Sequence, residues 1–313
     1  MWQSAMRRAA IFILSDVRSG STLVDQCLGA HTDIVSLGEA HWLTAYLSQD
    51  RSIYDPKQPL VCTCGEPVRD CPFWNQVGRA LGRPLDTLKL GSGTTSLRSR
   101  GDMRSKIRGI ARRFLRIEPR LFRCSVMQDM LDGPRIARDS ADLYDAVAAV
   151  TGCKYCVDSS KSPFRFRVAY CLDSERTIAI VLTRDFRAVV RSKMKRGHSL
   201  ESAALGWRRK MEQIDALTKD LPAKDVYRLT FESFCENPRS ELMKLCSFLD
   251  VEFSDAMLQR PTGNTHHIGG SPSKFIASQI DISLDKSYEN SFSGEALDRL
   301  RKVIGDVAGK WGY

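Results

Sequence analysis

The stretch Ala9-Ala-Ile-Phe-Ile-Leu14-Ser-Asp-Val-Arg18-Ser-Gly20-Ser-Thr22-Leu-Val-Asp-Gln-Cys27-Leu-Gly-Ala30 decides the fold. Its apolar run, Ala9 to Leu14, predicts a buried strand; a polar turn around Gly20 follows, and helical spacing runs from Ser21 to Ala30. The first N–H groups of such a helix have no partner within it, and the helix dipole favours an anion there. Arg18 adds a guanidinium fork, and Ser19, Ser21 and Thr22 add hydroxyl donors. A Walker A loop needs Gly-x-x-x-x-Gly-Lys-Ser/Thr. Here the first Gly and the Lys are both absent, so the loop suits an anion without the Walker lysine. Arg7-Arg8 precedes the apolar run as in an export signal, but that run is short and enters a polar glycine loop, which reads as a first strand.

Working outward, three more runs read as buried parallel strands: Tyr155–Val157, Thr177–Leu182 and Asp225–Leu229. Helical spacing recurs over Ala188–Arg196, Leu200–Leu217, Arg239–Leu249 and Glu295–Ala308. The alternation predicts an α/β fold: a P-loop-like, doubly wound parallel sheet flanked by helices, in one domain over 1–313. The excursion over 43–150 is expected to form a helical, partly basic cap insertion on the acceptor side, because open α/β sheets bind ligands at their carboxyl edge.

The net charge of +10 is concentrated: residues 89–123 carry eleven Lys/Arg against Asp102 and Glu118. Such a block is a solvated face, or it contacts an acidic substrate, a membrane surface or nucleic acid. No apolar run reaches the roughly 18–20 residues of a membrane span. A cytoplasmic protein is expected, with oligomeric state left open.

A second anion motif is Thr183-Arg184-Asp-Phe-Arg-Ala-Val-Val-Arg-Ser192. Arg184 at a strand end and Ser192 two turns into the next helix can face one anion. The first loop resembles the 5′-phosphosulfate loop of the sulfotransferases that use PAPS (3′-phosphoadenosine 5′-phosphosulfate), and the second resembles their 3′-phosphate motif. Asp158-Ser-Ser-Lys161-Ser-Pro-Phe164 is similar to the loop carrying the leaving-group lysine in protein-tyrosine sulfotransferases and bacterial relatives. His267-Ile-Gly-Gly-Ser271-Pro-Ser-Lys274 resembles the glycine-rich loop over the donor, with Ser271 and Lys274 as donor contacts. Phe231 stands where the family usually has Tyr; it could stack on adenine but lacks the hydroxyl. The resemblance covers roughly 1–45 and 150–313, and Trp311-Gly-Tyr313 matches the ending of bacterial members.

The resemblance implies sulfuryl transfer from PAPS to a hydroxyl of a peptide tyrosine, carbohydrate, lipid or small alcohol or phenol. Glu39, in Ser36-Leu-Gly-Glu39-Ala-His41, is the candidate general base, with His41 its rival. Lys161 and Arg18 would stabilise charge on the leaving oxygen, with Glu39 and Lys161 bracketing the in-line path. Cationic side chains serve there, so no metal is required. Two other classes are a magnesium-dependent P-loop-like kinase or NTPase, and a non-enzymatic nucleic-acid or membrane binder using the basic block. The first conflicts with the missing lysine; the second leaves both anion loops unexplained.

Among the ten cysteines, Cys62-x-Cys64-Gly and Cys71 leave three readings open: a zinc site with His41 or another Cys as fourth ligand, a disulfide, or free packed thiols. Cys153 and Cys156 read as opposite faces of one strand, which argues against a shared redox or metal role. Cys27, Cys124, Cys171, Cys235 and Cys246 read as buried small hydrophobes.

Overall fold

The computed structural model describes residues 9–49, 60–91, 132–259, 265–271 and 282–313. Five parallel strands form its sheet in the order β2-β3-β1-β4-β5: β1 Ala9–Leu14, β2 Ile34–Ser36, β3 Tyr155–Asp158, β4 Thr177–Thr183 and β5 Val226–Thr230. β1 is central, with Ala10 in register with Cys156 on one side and Thr177 on the other. Four strands follow the sequence reading within a residue or two. The fifth, β2, has only three residues, too few for a hydrophobic run to announce it.

Strand side chains alternate between faces, and the core divides accordingly. Ala10, Phe12 and Leu14 of β1 join one cluster with Ala179 and Val181 of β4. Ile11 and Ile13 join the other with Ile180 and Leu182. On the first face lie α4 (Gly133–Thr151), α5 (Pro163–Leu172), α6 (Phe186–Met194), α7 (Leu200–Thr218) and α10 (Gly294–Ile304). The second face takes α1 (Ser21–Leu28) and α9 (Pro238–Leu249). Pro238 occupies the first turn of α9, where its missing N–H costs nothing.

Three local expectations are corrected. The helix read over Glu295–Ala308 breaks at Gly305 (φ +59°), and α11 (Val307–Lys310) follows it. Cys171, expected in the core, is exposed near the end of α5. Cys153 precedes β3 instead of lying in it, so the alternation argument fails: its sulfur lies 3.7 Å from that of Cys156, both buried.

Within the excursion, α2 (Leu43–Ser48) and α3 (Pro72–Leu81) precede the basic block, which lies outside the described residues beyond Gly91. The excursion ends in α4, which packs on the sheet itself: Tyr144 meets Phe12 edge-on at 6.0 Å. No described helix is long and apolar enough to cross a membrane.

Candidate active site

In a parallel sheet every carboxyl end lies on one edge, and the strands here deliver their polar residues there. Arg18 and Ser19 to Thr22 follow β1, Glu39 follows β2, Lys161 follows β3, Arg184 follows β4, and Phe231 opens α8 (Phe231–Glu236) after β5. Connections diverge on either side of β1, which places the crevice at its end.

The two anion loops meet. Arg18 Nε donates to Ser192 Oγ at 2.9 Å across 174 residues of chain, and Arg184 Nη1 donates to the Arg18 carbonyl at 3.2 Å. Burial, then Arg196 and Arg184, lower the pKa of the Arg18 guanidinium. Among the described residues no carboxylate pairs with Arg18 or Arg184, and Arg184 Nε is buried without a hydrogen-bond partner. Half-buried arginines that no described carboxylate pairs with make this a candidate site for an anion.

Gly20 makes that convergence sterically feasible. It has φ +86°, and a Cβ there would lie 2.1 Å from Phe231 Cε2. The Arg184 guanidinium sits 4.5 Å from the Phe231 ring centre. With only 6% of its surface exposed, Phe231 seats the loop and the arginine, leaving little free face for the expected adenine stack.

At the neighbouring edge, Lys161 Nζ donates to Glu39 Oε1 at 2.6 Å and to the Ser159 carbonyl at 3.0 Å. Trp42 Nε1 donates to the other Glu39 oxygen at 3.0 Å. Burial works to raise the Glu39 carboxyl, but Lys161, His41 and the two hydrogen bonds prevail and hold it below its ordinary value. The expectation that Glu39 and Lys161 lie on opposite sides of a transfer path therefore meets a direct ion pair. Burial pushes His41 down to about 4, so its ring is neutral at neutral pH.

The loop carrying Lys161 is braced by groups the sequence did not single out. Asp158 is fully buried and receives Arg165 Nη1 at 2.6 Å, Tyr144 Oη at 2.7 Å and the Ser160 N–H at 2.9 Å. Lys161 itself adopts φ +55°, and Lys210 Nζ donates to its carbonyl at 3.3 Å. Asp25 of α1 joins β2 to this loop, accepting from Ser36 Oγ at 2.5 Å and Ser159 Oγ at 2.9 Å. Lys193 pairs with Asp16 in the first anion loop, and Tyr313 Oη donates to Glu232 at 2.8 Å behind the second. Asp16, Asp25, Ser36, Asp158, Ser159, Ser160 and Tyr313 stood inside stretches visible in the sequence, whereas Tyr144, Arg165, Lys193 and Lys210 did not.

Segment 265–271 lies over Glu39, as a glycine-rich covering loop would. Gly38 pairs with Ile268, the Glu39 N–H donates to the Ile268 carbonyl at 2.6 Å, and a Cβ on Gly269 would lie 2.9 Å from Glu39 Cβ. The Ser271 N–H donates to Thr22 Oγ1 at 3.2 Å, tying this segment to the anion loop. Lys274 lies outside the described residues. The cysteines Cys62, Cys64 and Cys71 do cluster, but their imidazole neighbour is His266, not His41.

The fold is that of a P-loop-like α/β protein, and its candidate anion site carries arginines instead of a Walker lysine. Residues 141–255 match the model described as the sulfotransferase family. A "Putative protein-tyrosine sulfotransferase" of Caenorhabditis elegans is 26% identical over 136 residues, covering 40% of this chain and 52% of that protein. Its Caenorhabditis briggsae namesake is 25% identical over 138 residues, covering 41% and 49%. The chain thus spans about half the length of the curated relatives it matches.

Two solved structures share the fold over nearly their whole length. The sulfotransferase domain of the Synechococcus PCC 7002 olefin synthase superposes with TM-score 0.59 at 19% identity, covering 100% of this chain and 98% of that one. The sulfotransferase domain from the curacin biosynthetic pathway gives 0.56 at 18%, covering 94% and 96%.

Proposed function

We propose that this chain transfers a sulfuryl group from PAPS to a hydroxyl acceptor, a reading carried by the 2.9 Å contact of Arg18 with Ser192 that joins the two anion loops. The buried Arg184 Nε without a hydrogen-bond partner and the meeting of Arg18 with Arg184 and Ser192 fit a donor with phosphate at both ends. Ser19 to Thr22 and Arg18 hold the 5′ end, while Arg184 and Ser192 hold the 3′-phosphate. Bound there, the donor supplies an activated sulfuryl group. Lys161 exchanges Glu39 for the leaving oxygen and holds the charge that develops on it. Glu39, released, takes the acceptor's hydroxyl proton. These cations do the work magnesium does in a nucleotide kinase, so the reaction is expected to need no added metal.

The named relatives make peptide tyrosine the first acceptor to test, ahead of sugar, lipid and small phenol or alcohol. The basic stretch 89–123 would favour an acidic acceptor, seen as an acceptor KM that rises with salt.

Calorimetric titration with PAP (the desulfated donor product) and with ATP, with and without magnesium, tests the reading. Tight PAP binding without magnesium is expected. Preference for magnesium-ATP would replace it with the kinase reading. Absence of binding to either would leave the basic block as the functional surface.

A further inference from the structure

Cys62, Cys64 and Cys71 come together with a residue some two hundred positions later. Cys62 and Cys64 belong to a tight turn: the Gly65 N–H donates to the Cys62 carbonyl at 2.9 Å, and the Cys62 N–H donates to the Glu66 carbonyl at 2.8 Å. Gly65, with φ +95°, closes that turn in a conformation other residues rarely adopt. Cys71 caps the start of α3. His266 arrives on segment 265–271, its ring stacked on Phe73 at 4.6 Å and 6°.

The spacing of the ligand atoms is informative. Cys71 Sγ and Cys62 Sγ lie 3.2 and 3.5 Å from His266 Nδ1, and Cys64 Sγ lies 3.7 Å from Cys71 Sγ. One ligand atom from each of the four residues falls within 4.8 Å of all the others. A tetrahedral zinc ion, with bonds of about 2.3 Å to sulfur and about 2.0–2.1 Å to nitrogen, holds neighbouring ligand atoms about 3.5–3.8 Å apart. The cluster has nearly that spacing already.

We propose that Cys62, Cys64, Cys71 and His266 Nδ1 bind one zinc ion. Three thiols release their protons to solvent as the metal enters. Four protein ligands close a tetrahedral shell and leave no position for substrate, so the ion is structural. What it holds is the cover of the candidate active site. Thr63 Oγ1, inside the cysteine turn, donates to the Thr265 carbonyl at 2.6 Å and accepts the His267 N–H at 2.9 Å. The next residues of that segment bond the Glu39 N–H and pass so close to Glu39 that a Cβ on Gly269 would lie 2.9 Å from Glu39 Cβ. The metal thus fixes segment 265–271 to the cysteine turn, with Glu39 seated beneath it.

Elemental analysis of wild-type protein, purified reduced and without chelator, should find one zinc per chain. Cobalt exchange should give the intense visible bands of a tetrahedral thiolate site. His266→Ala and Cys64→Ser should lose the metal, whereas His266→Cys should retain it with a four-thiolate spectrum. Chelation should speed amide exchange in 265–271 while the β1 core stays protected. None of these readouts depends on PAPS binding, so they stand apart from the proposed activity. Zinc far below one per chain, with no cobalt uptake by the folded wild type, would overturn the assignment without recourse to variants. So would a Cys64–Cys71 disulfide in the protein's unreduced mass.

Discussion

Lys161 Nζ lies 2.6 Å from Glu39 Oε1, in a pair whose other carboxylate oxygen is held by Trp42. The lysine thereby holds the Glu39 carboxyl below its ordinary value in a place where an isolated charge would be costly. In the proposed mechanism the same bond would keep both from acting until the donor competes for the lysine, and the donor's arrival would free the carboxylate.

Glu39→Gln keeps the shape and the hydrogen bonds but cannot take a proton. PAP affinity should be retained, because no donor contact is lost, while turnover falls about 10²–10⁴-fold. Calorimetry for PAP and sulfuryl transfer to a tyrosine peptide separate the two effects. Turnover near wild type would move the proton to His41, whose Nδ1 is buried without a partner.

If Glu39 is the base, the lysine should also set the acid limb of activity. Glu39 is held below its ordinary value, so kcat/KM of the wild type should hold as pH falls to about 4.5 and decline only below it. In Lys161→Met the leading opposing charge is gone, and burial is left to push the carboxyl up. The acid limb of the residual activity should therefore move to higher pH. An unmoved limb would mean that Glu39 does not govern it.

On the proposed donor site, Arg184→Ala should remove a charge-assisted contact to the 3′-phosphate, worth roughly 1.5–3 kcal/mol, or about 10–150-fold in the PAP dissociation constant. Adenosine 5′-phosphosulfate lacks that phosphate, so its affinity should change much less. Equal losses for both ligands would place Arg184 elsewhere on the donor.

Much of this was legible in the sequence because the long parallel strands are apolar runs, each ending in a polar loop. Arg18, Arg184 and Ser192 could be paired because each lay inside a motif with its own local logic. The three-residue β2 was not legible, although it carries Glu39 to the edge. Nor was His266 as the partner of the cysteines. That meeting depends on how segment 265–271 crosses the sheet's edge, a long-range contact that no local spacing records. The pairing of Asp158 with Arg165 and Tyr144 was not legible either, since it joins a strand end to two helices.

Asp25 links pH to stability. Burial raises its carboxyl to about 7, despite hydrogen bonds from Ser36 and Ser159 that oppose the rise. Between about pH 4 and 7 the folded state keeps a proton that the unfolded chain releases, so this group's contribution declines as pH rises through that window. Asp25→Asn should abolish that slope. The wild-type minus variant difference in unfolding free energy, followed from pH 4 to 8, reads it. A difference that does not vary with pH would show the carboxyl ionised throughout.

The Asp158–Arg165 pair is where the active-site loop and the core depend on each other most directly. Both side chains are buried, at 0% and 2% exposure, and bond at 2.6 Å. Burial alone would raise the Asp158 carboxyl, but Arg165, Ser160 and Tyr144 hold it below its ordinary value. Asp158→Ala strands the guanidinium in the core, a change that typically costs about 3–5 kcal/mol. Arg165→Met alone strands the carboxylate and should cost a similar amount. The double variant leaves neither charge behind, so it should unfold at higher denaturant than either single variant. Turnover should not recover with it, because Ser160 loses its Asp158 acceptor and the turn presenting Lys161 loosens. Urea unfolding and transfer assays on the three proteins test both statements. Additive destabilisation would show that the two charges are solvated independently, and restored turnover would show that the turn holds Lys161 without the pair.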